Sequence, residues 1–238
     1  MTALRWLSRA DAPDAFPPAY EALTEPNGLL AAGGDLSPER LLAAYRRGIF
    51  PWYETGQPIL WWSPDPRAVL YPDDLKVSRS LRRSIAKSQF TVTADGAFER
   101  VVARCAEPRR YTAATWITAE MADAYARLHR LGWAHSFETW HGGELVGGLY
   151  GVAIGRVFFG ESMFSRATDA SKVALVKMVE LLRERNFALI DCQVGSHHTT
   201  SLGATALPRA DFLRLLNELC EPAGTPQPWR LADLRAAT

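Results

Sequence analysis

Residues 134–161 read AHSFETWHGGELVGGLYGVAIGRVFFGE, and this stretch decides the fold class. It contains three strand-like runs, at 134–140, 144–154 and 156–161. The runs are separated by His141-Gly142-Gly143 and by Gly155. Glycine-bearing turns of this length between alternating segments are typical of antiparallel hairpins. The stretch therefore predicts three consecutive antiparallel strands.

The two segments that follow extend this prediction to the whole fold. Residues 169–185, DASKVALVKMVELLRER, carry apolar residues at helical spacing, and Asp169 is placed to cap the N-terminus of the helix. Residues 188–194 have the composition of a buried strand. Strands, a helix and a further strand in this order predict an α+β fold with a mostly antiparallel sheet and a crossover helix.

The segments before residue 134 add further elements. Strands are predicted at 67–71 and 89–93, a basic helix at 78–87 between them, and helices at 97–105 and 119–131. Residues 1–66 differ in composition, because prolines are frequent there and exclude long regular elements. One helix is marked by Ser37 as N-cap, Pro38 at the first helical position and Gly48 beyond its end. We therefore predict a small domain at 1–66 and a larger one at 67–238.

The bulk composition excludes several classes of protein. The formal net charge of the 238 residues is +1, so a nucleic-acid contact would have to be local. Three scattered cysteines fit reduced thiols better than a disulfide framework. The chain has no signal-peptide pattern and no apolar run long enough to span a membrane. We expect a cytoplasmic protein without a membrane partner, and a monomer by default.

Three polar residues are candidates for a reaction centre. Glu161 is predicted at the end of a strand, and Asp191 and Gln193 lie two residues apart in the next strand, LIDCQV. Period-two alternation places Asp191 and Gln193 on one face, so the three side chains converge if the strands are neighbours. The alternative is structural: backbone N–H groups or a nearby arginine such as Arg166 satisfy the two carboxylates.

A basic segment and the tryptophans indicate a possible nucleic-acid contact. Residues 76–89, KVSRSLRRSIAKSQ, contain no acid, and the basic residues are Lys76, Arg79, Arg82, Arg83 and Lys87. Helical spacing places several of them on one face, which suits phosphate contacts or an ordinary solvated surface. Trp52 and Trp116 lie near turn residues, where an indole can stack on a base or pack in a core.

The histidines do not predict a metal site. His129, His135 and His141 recur every six residues, but no cysteine or carboxylate completes a tetrahedral set. His197 and His198 follow the strand that carries Asp191, a position that allows them to lie near the reaction centre but does not by itself indicate a catalytic role.

Longer motifs carry a resemblance to a known family. They are EPNGLLAAGGDLSPERLLAAYRRGIFPW, ILWWSPDPRAVL, TWIT, LVGGLYGV, GESMFSRATDASKVAL, and LIDCQV followed by HTTSLGA. In this order the sequence closely resembles the leucyl/phenylalanyl-tRNA protein transferases, and the resemblance spans nearly the whole chain. It implies a small N-terminal domain joined to a domain similar to the acyl-CoA N-acetyltransferase fold. It also implies transfer of Leu or Phe, and more weakly Met, from aminoacyl-tRNA to proteins with N-terminal Arg or Lys, which marks them for N-end rule degradation. No cofactor and no metal are implied.

The resemblance also implies roles for individual residues. Trp52 and Trp116 match the aromatic residues that hold the terminal adenosine of the tRNA, and Glu161, Asp191 and Gln193 match those at the reacting groups. The residues that match the family's pocket for the donated side chain are Leu149, Phe158, Met163, Leu175, Met178 and Ile190. The family pattern has Met at the position of Leu149 and Phe at that of Met178, so the pocket stays apolar while the preference between Leu and Phe is left open.

Within this resemblance we expect Gln193 to accept a hydrogen bond from the incoming amine and Asp191 to orient Gln193. Glu161 is expected to help hold the cationic N-terminal residue of the acceptor, and the basic helix to hold tRNA phosphates. Two alternatives remain. A CoA-dependent N-acetyltransferase would have a similar fold, but residues 165–172, SRATDASK, lack the glycine that such enzymes use before the helix. A non-catalytic RNA-binding module would leave the three polar residues without a purpose.

Overall fold

A computed structural model describes residues 4–87, 89–108, 117–221 and 227–229. The described helices are α1 (Pro38–Arg46), α2 (Arg79–Ala86), α3 (Phe98–Cys105), α4 (Ala119–Arg130), α5 (Ala170–Glu184), α6 (His197–Ser201) and α7 (Arg209–Leu219). The described strands are β1 (Arg5–Leu7), β2 (Leu29–Gly33), β3 (Phe50–Pro51), β4 (Leu60–Trp62), β5 (Arg67–Leu70), β6 (Thr91–Ala94), β7 (Ala134–His141), β8 (Glu144–Ile154), β9 (Val157–Ser165), β10 (Leu189–Gln193) and β11 (Thr205–Leu207).

The larger sheet has seven strands in the order β11-β5-β10-β9-β8-β7-β6. Its neighbours pair antiparallel except for β9 and β10, which run parallel. Helix α5 connects these two strands, as parallel neighbours require a crossover. The predicted α+β fold with a mostly antiparallel sheet is therefore confirmed.

The two hairpins that link β7, β8 and β9 are also confirmed. Gly142, Gly143 and Gly155 have φ values of 58°, 83° and 57°, a left-handed backbone that glycine adopts without a steric penalty.

Strand β9 differs from its predicted bounds. It continues to Ser165, so Glu161 lies inside the strand and the expectation of a strand end was wrong. Tyr150 pairs with Ser162 and Gly151 pairs with Gly160, which leaves Glu161 as the extra residue of a β-bulge. A bulge changes the side-chain alternation, and the amino-acid pattern gave no sign of it.

The start of α5 also differs from the prediction. Asp169 has a left-handed backbone (φ 64°), and its side chain makes no capping hydrogen bond. It instead accepts a hydrogen bond from Ser84 of α2 (2.9 Å) and pairs with Lys172 (3.2 Å). Asp169 therefore connects α2 to α5 and does not cap the helix.

The first 62 residues hold a four-stranded sheet in the order β1-β2-β4-β3. Helix α1 begins as predicted, with the Ser37 hydroxyl accepting from the backbone N–H of Arg40 and Pro38 at the first position. Gly48 follows the helix with φ 68°. Tyr45 of α1 is buried, on the same helix as the buried Leu41 and Ala44.

Both sheets share one hydrophobic core. Residues of the small sheet such as Trp61 pack in the same buried cluster as Val152 and Phe159 of the large sheet and the inner faces of α3 and α4. A second cluster covers the opposite face of the large sheet, where α5 contributes Leu175 and Met178. A boundary between residues 66 and 67 remains a prediction. No helix within the described ranges has the length and apolarity to cross a membrane.

Candidate active site

Asp191 of β10 is fully buried and forms an ion pair with Arg67 of β5. Arg67 Nε donates to Asp191 Oδ1 at 2.8 Å, and Arg67 Nη2 donates to Oδ2 at 2.7 Å. Arg67 also donates from Nη1 to the Gly48 carbonyl (3.1 Å), and its guanidinium lies between the rings of Phe50 and Phe212. A bidentate pair of this kind fixes the carboxylate in one orientation.

An arginine and a backbone N–H do satisfy Asp191, as the structural alternative proposed, but the arginine is Arg67 and not Arg166. Arg166 is half exposed and pairs with Glu107 at 2.6 Å. The actual partner of Asp191, Arg67, was not identified from sequence, because 124 positions separate the two residues and no local pattern relates them.

Gln193 lies at the end of β10 with a left-handed backbone, φ 60°. The strand register shifts between Asp191 and Gln193, so simple alternation does not describe their relation. The backbone N–H of Gln193 donates to Asp191 Oδ1 at 2.8 Å. Asp191 thus contacts the main chain of Gln193, whereas the side chain of Gln193 contacts Glu161.

Glu161 completes the convergence of the three predicted polar residues. Gln193 Nε2 donates to Glu161 Oε1 at 3.0 Å. Glu161 also contacts the hydroxyls of Tyr45 (2.7 Å to Oε1) and Tyr125 (2.7 Å to Oε2), which sequence analysis did not identify as site residues. Burial raises the pKa of Glu161 to about 7, although the two hydroxyls and Arg67 oppose the shift.

The six residues assigned to the donor side-chain pocket line one cavity of about 160 Å³. Phe158 and Met163 are five positions apart on β9, and strict alternation would place them on opposite faces. The bulge at Glu161 returns Met163 to the face of Phe158. Glu161, Asp191, Cys192 and His198 also border this cavity. The structure therefore places an apolar cavity directly beside the polar centre.

A second cavity of about 320 Å³ also borders the polar centre. Glu161 and Cys192 border both cavities, and Trp52 and Gln193 border the second. Trp52 is 46% exposed and packs beside Trp62 with ring centroids 5.6 Å apart. Its indole is thus available at the edge of the site. Trp116 lies outside the described residues.

Burial shifts the pKa of two side chains that neighbour the polar centre, Cys192 and His198. Burial and the adjacent Asp191 raise the pKa of the Cys192 thiol to about 12, so it stays protonated near neutral pH. Burial lowers the pKa of His198, and Lys172 adds to the shift. His197 and His198 lie on α6, but only His198 borders the first cavity.

The five basic residues predicted to contact phosphates are all exposed, on or beside α2. Leu81 of α2 packs against Val173 and Val176 of α5. Leu175 and Met178 of the same helix line the first cavity. Helix α2, with its basic residues, and the first cavity therefore lie on different faces of α5.

Trp229 forms a support for the first cavity. Its indole stacks on the ring of His135 with centroids 3.9 Å apart, and its backbone N–H donates to Asp95 at 2.7 Å. The indole also lies beside Phe158, with centroids 5.9 Å apart.

His135 hydrogen-bonds Asp95 through Nδ1 (2.8 Å), and His129 contacts the Ala134 carbonyl. These two histidines thus have structural partners. No group of three possible metal-binding side chains occurs in the part of the chain that is described.

Comparison with known proteins gives a consistent result. Residues 69–217 match the family model described as leucyl/phenylalanyl-tRNA protein transferase, and residues 34–65 match the model for its N-terminal domain. The chain is 63% identical over 213 residues to the leucyl/phenylalanyl-tRNA–protein transferase of Stutzerimonas stutzeri (strain A1501), covering 90% of this chain and 93% of that protein. It is 58% identical over 214 residues to the protein of that name from Nitrosomonas europaea, covering 90% and 91%.

Among solved structures, a GCN5-related N-acetyltransferase from Kribbella flavida aligns with a TM-score of 0.40 and 14% identity, over 72% of this chain and 61% of that one. The match at 34–65 includes α1, β3 and β4, and the match at 69–217 includes the cluster around Glu161, Asp191 and Gln193. The chain therefore belongs to the leucyl/phenylalanyl-tRNA protein transferase family of aminoacyltransferases.

Proposed function

We propose that this protein transfers Leu or Phe, and more weakly Met, from aminoacyl-tRNA to the α-amine of proteins that begin with Arg or Lys. The product then carries an N-terminal residue that marks it for N-end rule degradation. One observation carries the proposal: an apolar cavity borders a polar centre whose residues also line a second cavity, together with an exposed tryptophan. A family of aminoacyltransferases supplies the reaction class.

The apolar cavity suits the donated side chain. Its volume of about 160 Å³ is close to the roughly 150 Å³ of an apolar protein cavity that binds benzene, the ring of a Phe side chain. Leu149, Phe158, Met163, Leu175, Met178 and Ile190 would contact the Leu or Phe side chain through apolar atoms. Apolar contact of this kind favours Leu, Phe and Met over polar residues.

The rest of the donor would extend away from this cavity. Trp52, at the edge of the second cavity, is placed to stack on the terminal adenine, a contact worth about 1 to 3 kcal/mol. Trp116 is proposed for the same role from sequence alone. The exposed basic residues Lys76, Arg79, Arg82, Arg83 and Lys87 would hold phosphates of the acceptor stem without reading its sequence.

The reaction is aminolysis of an ester that is already activated, so it needs no covalent enzyme intermediate. Aligning the amine with the carbonyl can supply up to about 7 to 11 kcal/mol. Because Gln193 Nε2 donates to Glu161, its Oε1 is left to accept a hydrogen bond from the amine. Asp191 acts as a positioning residue, since its oxygens accept from Arg67 and from the backbone N–H of Gln193. Glu161 borders both cavities, which supports the proposal that the amine meets the ester beside it.

We further propose that residues 1–66 and 67–238 are two domains that jointly form this site. Tyr45 of the first part contacts Glu161 of the second. The cytoplasm is the proposed location, because charged tRNA is the donor.

Transfer of labelled Leu from charged tRNA to peptides tests the function. A peptide that begins with Arg should become labelled and a matched peptide that begins with Ser should not. Free Leu with uncharged tRNA is the control for non-enzymatic labelling. Absence of transfer to both peptides would overturn the proposed reaction, and equal transfer to both would overturn the proposed acceptor preference.

A further inference from the structure

Three oxygen-bearing side chains form a closed triangle in the polar centre. Tyr45 Oη and Tyr125 Oη are 2.6 Å apart. Tyr45 Oη is 2.7 Å from Glu161 Oε1, and Tyr125 Oη is 2.7 Å from Glu161 Oε2. All three distances are those of O–H···O hydrogen bonds.

The number of protons determines the state of Glu161. Each of the three hydrogen bonds needs one proton, and each tyrosine hydroxyl supplies one. Burial and the nearby Glu161 hold the pKa of Tyr45 and of Tyr125 well above the ordinary value, so both hydroxyls stay protonated. The third proton has to come from Glu161. An ionised Glu161 would leave one of these three short contacts without a hydrogen.

The fourth partner shows which oxygen carries that proton. Glu161 Oε1 accepts from Gln193 Nε2 at 3.0 Å, so Oε1 is the carbonyl oxygen and Oε2 carries the proton. The ring then has one direction. With the proton on Oε2, Glu161 would donate to Tyr125, Tyr125 would donate to Tyr45, and Tyr45 would donate to Glu161 Oε1 across the three oxygen–oxygen contacts.

We propose that Glu161 is held as a carboxylic acid in this three-proton ring and that its ionised form accepts a proton from the attacking amine. In that step an N–H bond of the acceptor's α-ammonium breaks, and the Oε2–H bond of Glu161 forms. The amine keeps the electron pair with which it attacks the ester carbon. After attack, the leaving ribose oxygen takes the second proton from nitrogen, and Glu161 releases its proton to water.

The surroundings let Glu161 change its protonation state near neutral pH. Burial raises its pKa to about 7, where acid and carboxylate are both populated, and a general base works best with a pKa near the working pH. Tyr45 faces it from α1, Tyr125 from α4 and Tyr150 from β8. The side chains of the large sheet that face Glu161 are Arg67 of β5 and Asp191, Cys192 and Gln193 of β10. Arg67 and Asp191 pair with each other, so their opposite effects on Glu161 largely cancel.

The protonation state can be measured in the free protein, without tRNA or peptide. The full-length protein would be labelled with ¹³C at the side-chain carboxyl of glutamate and titrated by NMR. We expect the signal that disappears in Glu161→Gln to be that of a carboxylic acid at pH 6, with a midpoint near pH 7. Glu138→Gln identifies the other buried glutamate whose pKa is raised. A Glu161 signal that is already that of a carboxylate at pH 5 would overturn the ring.

The Glu161→Gln variant gives a second test, because an amide can replace the acid in the ring. Its carbonyl accepts from Tyr45 and Gln193, and its nitrogen donates to Tyr125. We expect the variant to fold, to match the wild type in thermal stability near pH 4, and to exceed it by a margin that grows as the pH rises to about 7. A variant that does not fold, or that is less stable by the same margin at every pH, would contradict the ring.

The catalytic half of the inference rests on the proposed function and is tested separately. In wild type, kcat for transfer should rise with pH through a limb near pH 7. Glu161→Gln should lose this limb and roughly 100-fold or more of kcat, the range for a general base. Wild-type kcat in the variant would exclude Glu161 as the proton acceptor while the NMR result stands. If wild type transfers to no peptide, the proposed function fails, and the acid state is still decided by the titration.

Discussion

At the scale of single residues, the sequence identified the acids of the site but not their partners. Glu161, Asp191 and Gln193 do come together, as their positions in neighbouring strands predicted. Tyr45 contacts Glu161 across 116 positions of sequence, and its place on an apolar helix face gave no sign of a polar role. A hydroxyl and its distant partner leave no periodic pattern, so only the three-dimensional fold relates them.

The buried pair of Arg67 and Asp191 gives a prediction for stability. Arg67→Ala leaves the Asp191 carboxylate buried without its cation, which should lower the free energy of unfolding by about 3 to 5 kcal/mol. Chemical denaturation measures the change. Arg166→Ala is the matched control, because its half-exposed pair with Glu107 is worth about 0 to 1 kcal/mol. Similar losses of unfolding free energy in the two variants would show that the burial of Asp191 does not determine the cost of removing its partner.

Gly160 gives a prediction for donor selection. A methyl group added at Gly160, which borders the first cavity, would meet only the Asp191 carbonyl, at 3.4 Å. Gly160→Ala should therefore fold and reduce the space for the donated side chain. We expect kcat/KM for Phe to fall about tenfold more than kcat/KM for Leu, the scale of a one-methylene change in an apolar pocket. Measuring both donors with one variant provides the internal control, and equal losses would contradict this placement of the side chain.

At the scale of elements, most helices and strands were predictable and the irregular positions were not. Helix α1 follows from Ser37 and Pro38, and the β7-β8-β9 hairpins follow from their glycine turns. The bulge at Glu161 and the left-handed Gln193 were missed. Their geometry depends on hydrogen bonds to other strands, which local composition does not record. Both irregularities lie in the polar centre, where they direct side chains that regular strands would place elsewhere.

Helix α2 gives a prediction at this scale. If Arg82 and Arg83 bind tRNA phosphates, replacing both with Ala should reduce the slope of log affinity against log salt by roughly 0.7 to 0.9 for each phosphate that is no longer bound. Binding of charged tRNA measured at several salt concentrations gives the slope. Arg214→Ala is the control, since this exposed arginine on α7 is balanced by Asp211. A slope that stays the same in the double variant would remove α2 from the tRNA-binding surface.

At the scale of the whole molecule, the site depends on distant parts of the chain. The small sheet shares its core with the large sheet, and Gly48, Phe50 and Tyr45 reach the residues around Asp191 and Glu161. The fold class was predictable because it depends on the order of elements. The packing of the small sheet against the large sheet was not predictable, because it depends on which buried surfaces are complementary in shape.

Trp229 gives a prediction for the whole fold. Trp229→Ala removes a buried indole beside His135 and Phe158 and should lower the free energy of unfolding by about 3 to 5 kcal/mol. Trp6→Ala is the control, because Trp6 is 65% exposed and its removal should cost much less. Thermal denaturation compares the two variants. A larger destabilisation by Trp6→Ala would contradict the supporting role of Trp229.

The position of Trp229 in the sequence has a consequence for biosynthesis. Every residue that lines the donor cavity precedes Trp229 in the chain, so each of them leaves the ribosome earlier. The indole that supports Phe158 is therefore synthesised after the strands and helices around it. A growing chain would therefore have a first cavity without this support until Trp229 has emerged and packed against Phe158.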